Sequence, residues 1–147
     1  KVFFLGGRGG VATATASQLR IKNSELRIKT SEGPRELLKA SAAEITDIIN
    51  HINDFGPDFL FVAFKPVEQE KWLFHQMDNI NAKVFMAVGG AFDMIAGKTP
   101  RAPVILQKLN LEWLWRLLIE PSRFRRILNA VLVFPWLVFR EKLTADN

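Results

Sequence analysis

Apolar and polar positions along the chain follow two alternating rhythms. Short apolar runs, "VFFL" at 2–5, "DFLFVAF" at 58–64 and "AKVFMAVGG" at 82–90, read as buried strands. "LRIKT" at 26–30 alternates as a half-buried strand does. Between them lie segments of helical spacing: about Val11 to Ile21, about Arg35 to Asn53, and 67–77. In the second of these Leu37, Leu38, Ile45, Ile48, Ile49 and Ile52 fall largely in phase. Strands alternating with helices predict βαβ units, hence an α/β fold with a Rossmann-like parallel sheet flanked by helices. After Gly90 only helical patterns follow. The expected organisation is an α/β half-domain over 1–97 and a C-terminal helical appendage over 98–147.

Length and composition narrow the class. A chain of 147 residues suffices for one ordinary domain with a real core. Its 48% apolar and 24% charged residues are a globular composition. Without cysteine there is no disulfide framework, thiolate nucleophile or cysteine-ligated metal, which fits a reducing compartment. "KVFFLGG" has one basic residue and too short an apolar run for a signal peptide. Starting on lysine directly at a strand, it reads as a piece of something longer.

Charge is unevenly placed. Residues 1–97 hold 11 Lys/Arg and 11 Asp/Glu, whereas residues 98–147 hold nine against four. The appendage therefore carries the whole net charge of +5, and its partner should be anionic.

In open parallel sheets ligands bind beyond the carboxyl ends of the strands. Three such ends carry unusual residues. In "GGRGGVA", Gly7, Gly9 and Ala12 match a G-x-G-x-x-A dinucleotide pattern, with Glu32 near the end of the second strand. A plain glycine-rich turn explains the same residues, and Glu32 lies late for a ribose contact. In "KPVEQEKW" (65–72), the Gln69 amide can bond a phosphate or a sugar hydroxyl. On spacing alone, a solvated face of Glu68, Gln69 and Lys71 is the better account. In "VGGAFDMIAGKTPRAP" (88–103), Gly89 and Gly90 allow close backbone approach. Asp93 can accept from a ribose or base, or serve as a helix N-cap. His51 and His75 stand apart from any metal-ligand spacing, no Asp-x-Asp pair exists, and no nucleophile elbow is present.

Taken in order, "PDFLFVAF…EQEKW…AVGGAFDMIAGKTPRAP…LNLEWLWRLLIEPSRFRRIL" resembles the C-terminal half of the WecG/TagA/CpsF glycosyltransferases, closely over about residues 57–128. The "VFFLGG" opening fits that family's middle strand. The resemblance implies transfer of N-acetylmannosamine, or a related sugar, from a UDP donor to a polyprenyl-diphosphate-linked sugar. Such transfer serves cell-surface polysaccharide or teichoic acid synthesis. It proceeds with inversion, without metal or other cofactor, at the cytoplasmic face of the membrane. Gln69 then belongs to the motif beside the donor diphosphate. Gly89, Gly90 and Asp93 line the donor pocket, joined by Gly6 and Gly7 of the glycine turn. Arg116, Arg123 and Arg126 fall on the arginines that meet the acceptor's diphosphate.

Two departures stand out. Lys65, Pro66, Val67 and Glu68 replace the family's glycine and Pro-Lys before Gln-Glu. The family's first half, with its T-x-N and D-G motifs and its aspartate general base, is missing. The chain alone is therefore expected to be incomplete and inactive.

The tail reads as a clamp at a surface. Glu112, Arg116 and Glu120 form an i, i+4, i+8 ladder on a helix that is otherwise Leu, Trp or Ile. Such a helix is either nearly all buried or offers an apolar face outward. Pro121 is placed to start a second helix, on which Arg123 and Arg126 share a face. "ILNAVLVFPWLVF" is too short and broken to span a bilayer but suits its interface. A helical hairpin with solvated arginines is the plainer alternative. The apolar content disfavours a nucleic-acid partner, and a homo-oligomer is left open. A NAD- or nucleotide-binding module without transferase activity remains the other functional class.

Overall fold

The computed structural model describes residues 1–119, 121, 124 and 128–145, with the backbone alone at 130, 131 and 142–145. Arg123, Arg126 and Glu120 lie outside the described residues. Four strands, β1 (Val2–Gly6), β2 (Ile28–Ser31), β3 (Phe59–Ala63) and β4 (Val84–Ala87), pair all-parallel in the order β2-β1-β3-β4. β1 is central, Val2 pairing with both Ile28 and Phe59, and every one of its residues is buried because helices cover both faces of the sheet there.

The alternation of β1 splits the core between the two sheet faces. Phe3 and Leu5 pack with Leu60, Val62, Trp72 and Leu73 on one side. Val2 and Phe4 pack with Val11, Ala12, Ala16 and Phe92 on the other. Each such large side chain contributes about 1.5–3 kcal/mol on burial, so these two clusters are what hold the sheet.

Three helices connect the strands: α1 (Val11–Lys22), α2 (Ala42–Phe55) and α3 (Glu68–Gln76). Small residues let α1 lie close on the sheet, with Val11, Ala12, Thr15 and Ala16 buried. The short α4 (Ala91–Ile95) is tied to it by Thr15 Oγ1 donating to Phe92 O at 2.9 Å.

The pattern had predicted helix from about Arg35, but α2 begins at Ala42. Ser41 and Glu44 form a capping box: Glu44 N donates to Ser41 Oγ at 3.3 Å and Ser41 N to Glu44 Oε2 at 2.9 Å. The backbone N–H of Ser41, and then its hydroxyl, hold the Glu44 carboxyl below its ordinary range. Leu37 is buried all the same, from a separate 3₁₀ turn, Leu37–Lys39. Apolar spacing did not separate the two.

The apolar run 82–90 predicts a buried strand for β4. β4 is instead an edge strand, with Val84 and Met86 at 38% and 50% exposure. A continuous apolar run does not say whether a strand sits inside a sheet or at its margin.

The described residues divide into two compact units, Lys1–Pro100 and the part from Arg101 onward. The second contains α5 (Val104–Lys108), α6 (Glu112–Ile119), a π-helical turn (Asn129–Val133) and α7 (Phe134–Ala145). No residue of α6 is fully buried, and Trp113 and Leu118 are exposed, so the nearly buried alternative for this helix does not hold. Phe134, Trp136 and Phe139 of α7 are exposed too. Among the described residues no helix is long and apolar enough to cross a membrane.

Candidate functional site

From β1 the chain moves outward to β2 and then crosses back to β3 on the opposite side. The carboxyl ends of β1 and β3 are thus a topological switch point, where connections diverge and leave a crevice. Gly6 and Gly7 lie at that point. A Cβ on Gly6 (φ +100°) would stand 2.1 Å from the Ala63 carbonyl oxygen. One on Gly7 (φ +65°) would stand 3.0 Å from both the Phe92 ring and Ala12 N. Gly7 N also donates to Ala63 O at 3.2 Å. Close packing of β1 on β3 and α4 alone demands both glycines.

The rest of the glycine turn is occupied by the protein itself. Gly10, the N-cap of α1, donates its N–H to Glu32 Oε1 at 2.8 Å. Lys98 Nζ donates to Gly9 O at 3.0 Å. A dinucleotide site would use such amides for a pyrophosphate and the acid for a ribose hydroxyl. Here the acid sits on the amide, so a negative ligand would have to displace a negative side chain. The geometry does not favour the NAD reading.

At the end of β3 the expectation of a solvated helix face holds for Lys71, which is exposed, and fails for Glu68 and Gln69. These two are 9% and 5% exposed. Glu68 Oε1 accepts from Leu38 N at 3.4 Å. Gln69 Oε1 accepts from Phe64 N at 3.2 Å and from Gly89 N at 3.0 Å, while its Nε2 donates to Glu70 Oε1 at 2.8 Å. The departure preceding it has a definite shape. Lys65, in the place of the family's glycine, reaches out to Glu36 Oε1 at 3.6 Å. Val67 caps α3 with φ +72°, a conformation that β-branched residues rarely adopt.

The third strand end joins this group through Gly89. That residue has φ +49°, and the next, Gly90, is the N-cap of α4. Asp93 is therefore not the N-cap; it lies within the first turn. Its backbone oxygen accepts from Lys98 N at 2.9 Å and Thr99 N at 3.1 Å. Its carboxylate has no partner among the described residues. A Cβ on Gly90 would meet nothing within 4 Å, so the turn borders open space.

Direct contacts thus link Gly6 and Gly7 to Ala63, and Gln69 to Gly89, with Gly90 and Asp93 following on the same turn. Arg116 lies in the second unit, where its Nη2 is 4.0 Å from Glu112 Oε1. Sequence reasoning missed Glu70, which anchors the Gln69 amide, and the carboxylate–amide contact of Glu32. The adjacency of Gln69 and Glu70 was the available signal. No group of three potential metal ligands occurs among the described residues.

A four-stranded parallel sheet with helices on both faces, a glycine turn at its switch point and a buried amide at the ends of β3 and β4 defines a Rossmann-like α/β fold. The chain belongs to the glycosyl transferase WecG/TagA/CpsF family, which matches it over residues 1–147. It is 32% identical over 142 residues to the N-acetylglucosaminyldiphosphoundecaprenol N-acetyl-beta-D-mannosaminyltransferase of Staphylococcus aureus strain MRSA252, covering 97% of this chain and 53% of that protein. Proteins of the same name from strains NCTC 8325 and MW2 are 31% and 30% identical, with the same coverage. The chain spans about half the length of the curated relatives it matches.

Proposed function

We propose that this chain is the donor-binding and acceptor-clamping part of a membrane-associated glycosyltransferase. Its substrates are a UDP-linked N-acetylmannosamine, or related sugar, and a polyprenyl-diphosphate-linked sugar. The observation that carries the reading is the 3.0 Å bond from Gly89 N to Gln69, which joins the Gln-Glu and Gly-Gly-x-Phe-Asp motifs at the carboxyl ends of β3 and β4, beside the sheet's switch point. The names of the relatives supply the sugar and the acceptor.

On this reading the donor enters the open side of Gly90, where backbone can approach it without a side chain between them. The unpaired carboxylate of Asp93 is available to ribose or sugar hydroxyls. Arg116, with Arg123 and Arg126, takes the acceptor's diphosphate, because guanidinium groups donate paired hydrogen bonds to phosphate oxygens. Exposed Trp136, Leu137 and Phe139 suit the apolar layer of a membrane surface, on its cytoplasmic side. Attack on the anomeric carbon needs a base for the acceptor hydroxyl, and no residue of this chain is assigned to it. The chain alone should bind donor without transferring sugar.

Titration of the chain with UDP and with NAD tests the proposal. Saturable UDP binding without NAD binding is expected. Saturable binding of NAD and none of UDP would sink it.

A further inference from the structure

Gln69 is the most heavily committed polar side chain at the site. An amide oxygen carries two lone pairs, and both are used here, by Phe64 N at 3.2 Å and Gly89 N at 3.0 Å. The amide nitrogen donates to Glu70 Oε1 at 2.8 Å. Two backbone donors on one end and a carboxylate on the other fix which way the amide faces. At 5% exposure the side chain is buried behind the turn it holds.

We infer that Gln69 is a positioning residue, a bracket that sets the Gly89–Gly90 turn against the end of β3 and does not itself touch the donor. Phe64 directly follows β3 and Gly89 lies just beyond β4, so one oxygen atom joins the ends of two neighbouring strands. Gly89 needs the tie because its φ of +49° belongs to a turn with no side chain of its own to lock it. A Cβ there would lie 3.7 Å from Gln69 Nε2, so the amide also forms the wall behind the turn. The open side of Gly90 is then the ligand's side, and Gln69 lies on the other. That this open side receives a UDP-sugar rests on the function proposed above; the bracket does not.

The test uses the intact 147-residue chain with Gln69→Leu and with a glutamate variant that combines Gln69→Glu with Glu70→Gln, so that position 70 donates where it had accepted and no two carboxylates face each other. Amide hydrogen exchange is read at Gly89 and Phe64 without ligand, with Leu5 and Val62 as core references, and UDP is then titrated. Leucine removes the acceptor, so Gly89 and Phe64 should exchange roughly tenfold faster or more relative to the references, with weakened UDP binding. Glutamate keeps an oxygen for both N–H groups. It should retain Gly89 protection and bind UDP within about tenfold of the parent chain.

Unchanged Gly89 exchange in the leucine variant would overturn the bracket, as would lost protection in the glutamate variant. Protection retained by this charge-neutral glutamate variant with UDP binding abolished would also overturn the inference, because the side chain at 69 would then be contacting the donor directly. If the leucine variant unfolds throughout, the glutamate variant decides alone. If the parent chain binds no UDP, the functional proposal fails, while the exchange measurements still decide the bracket.

Discussion

Glu32 and Gly10 meet through a 2.8 Å hydrogen bond, the carboxylate of one accepting the backbone N–H of the other at the start of α1. The acid caps a helix that has no side-chain cap of its own, since its N-cap residue is glycine. Losing such a cap costs about 1 kcal/mol. Glu32→Ala should lower the urea-unfolding free energy by about that amount. NAD should show no saturable binding to the parent chain, and a saturable isotherm would mean that Glu32 yields its place to a pyrophosphate.

The glycines of the site should separate into two groups. Alanine at Gly6 puts a methyl 2.1 Å from Ala63 O, and only a parting of the central strands relieves it. A loss of about 3 kcal/mol or more is expected, at the upper end for single substitutions. Gly90 has ordinary negative φ and open space, so alanine there should shift stability by less than about 0.5 kcal/mol. It should nonetheless weaken UDP binding, and an unchanged affinity would remove Gly90 from the donor pocket.

Val67 holds φ +72° at the head of α3. Backbone strain of this kind costs on the order of 1–3 kcal/mol, while glycine gives back up to about 1 kcal/mol in chain entropy. Val67→Gly should therefore leave stability unchanged or raise it by about 1 kcal/mol. A clear fall in the urea midpoint would show that the valine side chain contributes more than its backbone costs.

What could be read beforehand follows from the range of the interactions involved. β1 and β3 were legible because central parallel strands are apolar on both faces, and "VFFL" and "DFLFVAF" show it directly. β4 has nearly the same composition, yet its place at the edge rests on its having no outer neighbour among the described residues, which a local pattern does not encode. The start of α2 was in the sequence as Ser41-x-x-Glu44, but Leu37 and Leu38 extended the apolar phase past it. Gln69 was singled out by resemblance, whereas its burial depends on Gly89, twenty positions away in the chain. The roles of Arg123 and Arg126 lie outside the described residues.

Asp58 links the starts of β3 and β4: Lys83 Nζ donates to its Oδ1 at 2.7 Å. Lys83 holds the Asp58 carboxyl below its ordinary value. With the folded value depressed, its contribution to stability is complete above the ordinary carboxylate range and is lost as pH falls through the folded value. Unfolding midpoints of Asp58→Asn should fall less steeply below about pH 4 than those of the parent chain. Superimposable pH profiles would show the ion pair to be inert.

The appendage should bind anionic surfaces. Vesicles containing anionic lipid should retain the chain, and deletion of residues 123–147 should release it, with retention of the parent weakening as salt rises. Equal retention of both forms would refute a membrane role for this segment.

The register of β1 bears on how the chain comes off the ribosome. Val2 is matched to Phe59, so "VFFLG" must be synthesised, released into water and kept unpaired on one side until β3 emerges. Its first partner, beginning at Ile28, shields only one edge. For that interval an uncharged stretch containing the strand formers Val2, Phe3 and Phe4 is available to any other exposed strand, including those of a neighbouring nascent chain. Yield during expression should therefore depend on temperature and chaperone supply more than the folded stability alone would suggest. A pause in translation placed between residues 31 and 59 should lower it further.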